Sequence, residues 1–190
     1  MTHASTDRKR MRIAFGANLV MFVVGLVGWH VGDSAGLLAD ALDMLADASG
    51  YAVAWIAIGR SRQFQTNAAR WNGTMLIVLG VGVIGEVIHR FIVGSTPHGL
   101  AIFAFATLSL VVNGGVLVML KAYRDSKDVH LKATWIDTRA DVIVNASVLL
   151  SGAAIAITGY RQIDLLVGLA IALYVIKEGV EIWEEANDND

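Results

Sequence analysis

The chain has 190 residues, of which 55% are hydrophobic and 17% charged, with 19 Gly, one Pro and no Cys. Ordinary globular chains carry about 25% charged residues, so this is not the composition of a soluble domain. A net charge of −2 excludes the basic footprint that nucleic acid requires. The lack of Cys excludes a disulfide framework, a thiolate zinc finger and a Cys nucleophile. The composition implies an integral membrane protein of the all-α class, a polytopic bundle of six transmembrane helices in a lipid bilayer.

A bilayer-crossing helix needs about 20 mostly apolar residues. In chain order the six runs are Ile13–Val31, Leu37–Gly59, Trp71–Val93, Leu100–Leu120, Thr134–Thr158 and Ile163–Trp183. Turn or charge signals separate them: Gly32-Asp33-Ser34, Arg60 to Arg70, Gly94-Ser95-Thr96-Pro97, Tyr123 to Lys132, and Gly159-Tyr160-Arg161. The membrane domain therefore covers 13–184, between a basic tail (1–12) and an acidic one (185–190). The first run follows a basic patch as a signal peptide does, but it is longer than an h-region and no small-residue cleavage site follows it. It reads as the first span.

Cationic residues set the orientation. Arg8, Lys9, Arg10, Arg12, Arg60, Arg62, Arg70, Lys121, Arg124, Lys127, Lys132 and Lys177 fall on one side, against Arg90 and Arg161 on the other. Both termini are therefore expected in the cytoplasm, with the chain multi-pass in the cell (plasma or inner) membrane.

An ionisable residue at the centre of an isolated span costs about 2.5–3.5 kcal/mol on insertion scales. This chain places Asp40, Asp43 and Asp47 in the second span, Glu86 in the third, and Asp137 and Asp141 in the fifth. Glu86 stands four residues before Arg90, so an intrahelical ion pair accounts for it. The Asp pairs have no such partner. Positions i and i+4 are about 40° apart on one helix face, so Asp43/Asp47 and Asp137/Asp141 each form a stacked pair, with Asp40 on the face of the first. Arg139 projects opposite the second pair. Four carboxylates meeting in low dielectric need protons or a bound cation to balance them. Oxygen ligands suit hard to borderline divalent metals, and close carboxylates cannot all ionise. H⁺ and M²⁺ therefore compete for one set of oxygens, which fits either exchange transport or a static site.

The stretch from Ser34 to Asp47, with Asp43 and Asp47 four apart, and the stretch from Trp135 to Asn145, with Asp137 and Asp141, resemble the paired motifs of the cation diffusion facilitator family of divalent-metal/proton antiporters. Asn113 and Asp164 also match residue types found in similar members. The resemblance covers nearly the whole chain. It implies a six-helix transporter, not an enzyme, in which Asp43, Asp47, Asp137 and Asp141 hold the transported ion. The resemblance implies Zn²⁺ or Cd²⁺ as that ion, with protons as counter-ion and no resident cofactor. Asp40 is a pathway neighbour, and Asn145, one turn beyond Asp141, is positioned to hydrogen-bond a ligand carboxylate.

Three departures qualify the resemblance. Many zinc-selective members have a His in the quartet, where this chain has only Asp, and that leaves Mn²⁺, Fe²⁺ and Co²⁺ open alongside Cd²⁺. The Ser61–Arg70 connection has no His or acid, so an additional metal site used by some members is expected to be missing. The chain looks like the short subset without a cytoplasmic C-terminal domain, so association as a homodimer would run through transmembrane helices, for which Gly80, Gly82 and Gly85 are candidates. The five His (His3, His30, His89, His98 and His130) share no face with an acid pair and read as interfacial or solvated. The two Asp-bearing spans, each second in a group of three, suggest a three-plus-three inverted repeat. The competing reading is an intramembrane metal sensor or metalloenzyme built on the same acids.

Overall fold

The structure, a computed structural model, describes residues 3–57, 61–125 and 129–188. It contains six α-helices among those residues: α1 (His3–Gly32), α2 (Ala35–Ala57), α3 (Arg62–Val93), α4 (Gly99–Leu120), α5 (Val129–Thr158) and α6 (Gln162–Asp188). A 3-10 turn, Lys121–Tyr123, closes α4. Four helices are long and apolar enough to cross a membrane, through Thr6–Gly32, Thr66–Val93, Gly99–Tyr123 and Thr138–Thr158. The other two carry too much charge to qualify on composition: α2 has Asp40, Asp43 and Asp47, and α6 has Asp164, Lys177, Glu178 and Glu181.

The three tight turns lie at one end of the bundle, here the turn end, and the start of α1 and the end of α6 lie at the other, the terminal end. At the turn end the helices stop close to where the sequence places the span edges. Gly94 and Gly159 leave α3 and α5 with φ of 102° and 70°, a conformation open to glycine at low cost. Asp33 takes the left-handed conformation at the end of α1, with φ 48°. The Ser34 amide then donates to the Trp29 carbonyl at 3.3 Å, the 6→1 closure of a Schellman turn.

At the terminal end the helices outrun the predicted spans. α1 begins at His3 rather than Ile13, α3 at Arg62 rather than Trp71, and α5 at Val129 rather than Thr134. Most of the expected Arg60–Arg70 separator is therefore helix, with Ser61 accepting from the Phe64 amide as its N-cap. Arg10 and Arg12 stack over Tyr123 and Trp55 at 5.3 and 5.4 Å from the ring centroids, and so hold the basic start of α1 against the bundle.

α2 touches every other α-helix, which places it at the centre. Its buried Ala35, Ala39, Ala41, Ala46 and Ala48 let neighbouring backbones approach, as small residues do in membrane bundles. Outside α2, the closest pairings are α3 with α6 and α4 with α5. A Cβ on Gly73 of α3 would lie 2.6 Å from the Gly179 carbonyl oxygen of α6. One on Gly152 of α5 would lie 2.6 Å from the Phe103 amide nitrogen of α4. The main apolar core draws on α2 through α6, including Leu37, Val83, Ile102, Val148 and Ile171. Valines and isoleucines such as Val111, Ile143 and Ile157 face outward, as a lipid-facing surface requires.

Candidate metal centre

α2 and α5 run antiparallel, and two polar rungs join them. Tyr51 Oη and Thr138 Oγ1 share a hydrogen bond of 2.8 Å, with both residues buried. One turn away, Asp47 and Asp141 share a side-chain hydrogen bond. Because Tyr51 follows Asp47 by four residues and Thr138 precedes Asp141 by three, both rungs lie on one face of each helix. Asp43 and Asp141 are buried, and Asp47 is half-buried. Asp141 Oδ2 has no hydrogen-bond partner.

The predicted set therefore meets in part. Asp43, Asp47 and Asp141 lie within electrostatic reach of one another. Asp137 stands on α5 one turn before Asp141, and its side chain lies outside the described residues. Asn145, one turn on, is buried with its Nδ2 unpartnered. Arg139 is exposed, in keeping with its expected direction away from the acids. Asp40 is buried against α4, where Ser109 Oγ donates to its Oδ2 at 2.9 Å. Among the described residues, no three His, Asp or Glu side chains are arranged to hold a metal ion.

Sequence reading missed one acid. Glu178 of α6, half-buried, acts electrostatically on both Asp43 and Asp141. Lys177 beside it marked the end of the last span and drew attention from it. The signal was the periodicity of α6. Asp164, Gly168, Ile171 and Val175 form one stripe facing the bundle, and Glu178 is its next position. Among the described residues, the charged groups acting on Asp43 and Asp141 are thus Asp40, Asp47 and Glu178, together with each other. Such a setting favours a multivalent cation or several protons, because like charges so placed raise each other's energy until one is neutralised.

The turn end treats its acids differently. Asp164, fully buried, accepts hydrogen bonds from Ser34 Oγ, the Ala35 amide at 2.7 Å and the Gly36 amide at 3.2 Å. Ser34 Oγ in turn accepts from the Leu37 amide at 3.0 Å. Together Ser34 and Asp164 satisfy the free amides and positive dipole of the α2 N-terminus. Arg90 bridges Asp33 and Glu86, the latter at 2.6 Å, so the expected Glu86–Arg90 pair forms and extends to a partner that sequence spacing did not reveal. Partial burial pushes the Asp33 carboxyl up, but the Thr96 amide and the Arg90 guanidinium outweigh it and hold Asp33 below the usual carboxylate range.

Residues 11–188 match the family described as the cation efflux transmembrane domain. Among individual relatives, a protein named zinc transporter ZitB from Yersinia pestis is 22% identical over 95% of this chain and 62% of its own length. Its namesake from Escherichia coli (strain K12) is 24% identical over 95% and 61%. A Bacillus subtilis (strain 168) protein named cadmium, cobalt and zinc/H(+)-K(+) antiporter is 25% identical over 95% and 62%. The chain thus spans about three-fifths of the length of the curated relatives it matches. The matched family is an efflux domain rather than an enzyme, which removes support from the metalloenzyme alternative.

Proposed function

The chain belongs to the cation efflux transmembrane domain family, and from that premise we propose that it exports a divalent metal cation in exchange for protons. Zn²⁺ and Cd²⁺ are the favoured cargoes, in line with the names of its relatives, although an all-oxygen acid set also suits Mn²⁺, Fe²⁺ and Co²⁺. The cargo rests on Asp43, Asp47, Asp137 and Asp141. The termini and the Arg- and Lys-rich connections face the cytoplasm, as the positive-inside rule directs. Two copies associate through transmembrane helices.

One observation carries the reading. Asp47 and Asp141, from two different helices, share a hydrogen bond inside the membrane while, among the described residues, the charged groups acting on Asp141 are all acids. A site of that kind accepts a divalent ion by giving up protons and releases it by regaining them. Reciprocal linkage requires each ligand to weaken the other, so a proton gradient of either sign drives metal the opposite way. Exposure of the site to each side in turn converts this competition into antiport. The metal draws the acids closer than they stand in its absence.

The test is metal flux in proteoliposomes. Wild-type protein takes up Zn²⁺ or Cd²⁺ when a pH gradient is imposed, and Asp141→Asn falls to the rate of protein-free vesicles while eluting as a folded species on size exclusion. Wild-type rates in Asp141→Asn would overturn the assignment, and binding without flux in the wild type would favour a sensor.

A further inference from the structure

Asp40 has no part in the metal set, and its surroundings demand an explanation. The side chain is 1% exposed, on the second turn of the central helix. Oδ2 accepts one hydrogen bond, from Ser109 of α4. Oδ1 is buried and has no partner. Ser109 and Asn113, one turn apart on α4, are both buried at 2% exposed, so the polar strip that α4 turns inward is electrically neutral. A carboxylate stripped of water with one hydroxyl donor and one unpartnered oxygen is far costlier than a paired one.

Among the described residues, the charged groups on the packed elements do not offset it. On α2 these are Asp43 and Asp47, on α5 Asp141, and on α6 Glu178. On α3, Glu86 and Arg90 are joined to each other and to Asp33 at the turn end. Asp164 of α6 is committed to the α2 N-terminus. Along their middles, α1 and α4 present Asn18, Ser109 and Asn113. Among the described residues the side-chain partner of Asp40 is the neutral Ser109 of α4. What the position lacks is one positive charge.

We propose that Asp40 and Ser109 form a second cation site, separate from the metal acids, which holds a single monovalent charge, a proton or an alkali ion, and acts as the counter-ion site of the exchange. The coupling half of this rests on the transport reading above. The distance supports it: Asp40 lies three residues from Asp43, about 4.5 Å along the helix axis, and acts electrostatically on it. An occupied site neutralises Asp40 and weakens cation binding at Asp43, whereas an empty one leaves a charge that strengthens it. Linkage makes the effect mutual.

The test uses purified full chain, wild type and Asp40→Asn, in two arms. The first needs no transport: infrared difference spectra of metal-free protein on a pH step or on addition of K⁺. A proton occupant gives the carbonyl band of an unhydrated carboxylic acid, and an alkali occupant gives a carboxylate band that moves with K⁺. Either band disappears in Asp40→Asn, and Ser109→Ala shifts it because that group loses its hydroxyl donor. The second arm is Zn²⁺ uptake into proteoliposomes driven by a pH gradient alone or a K⁺ gradient alone. Asp40→Asn, neutral as the occupied site is, is expected to retain Zn²⁺ binding by calorimetry, no tighter than the wild type, and to lose at least tenfold of the uptake driven by one of the two gradients. That gradient identifies the occupant.

Neither band responding to Asp40→Asn would overturn the proposal, as would unchanged gradient dependence, or loss of Zn²⁺ binding along with coupling. If Asp40→Asn does not fold, an unshifted band in Ser109→Ala is equally decisive. If wild type carries no metal under any gradient, the transport reading fails, and the infrared arm still decides the site.

Discussion

At the turn end, Asp33 and Asp164 lie among donors: Arg90, Thr96, Ser34 and the opening amides of α2. In mid-membrane, Asp43, Asp47 and Asp141 lie among acids. The residue type is the same and each group includes fully and partly buried members, yet one has its charge balanced by the protein and the other does not. The contrast separates structure from function. An acid whose neighbours satisfy it serves the fold, and an acid whose neighbours oppose it needs a partner from outside.

The comparison breaks if the same substitution has the same effect at both places. Asp164→Ala should give the largest change, a loss of about 3 kcal/mol, because hydrogen bonds to a charged acceptor and the cap of α2 go together. The measure is thermal unfolding of the detergent-solubilised protein. Arg90→Ala should cost less, about 1–2 kcal/mol, since Asp33 and Glu86 retain partial access to water. Asp43→Asn should move the other way, raising the stability of the metal-free protein by about 1 kcal/mol, because it removes one of several repelling charges. A loss of stability there would show that Asp43 is satisfied within the fold and would end the contrast.

The smallest effect is one of pH. The folded state holds the Asp33 carboxyl below its ordinary value, so its contribution is complete above about pH 4 and fades as acid takes the pH through the lowered value. The unfolding midpoints of wild type and Asp33→Asn should therefore differ near neutrality and converge on acidification. A difference that grows with acid would reverse the assigned sign.

The spans were legible because hydropathy reports the bilayer, and Gly32, Gly94 and Gly159 mark the turn end within a residue or two. The starts of α1, α3 and α5 were not, because those helices continue into polar sequence where hydropathy gives no guidance. Asp43, Asp47 and Asp141 could be singled out by spacing alone, since i and i+4 define a face. Glu178 was lost beside Lys177. The Asp33–Arg90 bridge and the Asp164 cap link positions 57 and about 130 residues apart, and nothing local in the sequence records such pairings.

The glycine contacts constrain how such a bundle can rearrange. Where Gly73 meets Gly179, and Gly152 meets the α4 backbone, no side chain stands between the two main chains to change rotamer or cushion a shift. Each couple, α3 with α6 and α4 with α5, therefore behaves as a stiff double rod. On the transport reading proposed above, a change of access is expected to leave both couples intact. It would then occur where a couple slides along α2, the helix both rods share, which would put Glu178 on one moving part and Asp141 on the other.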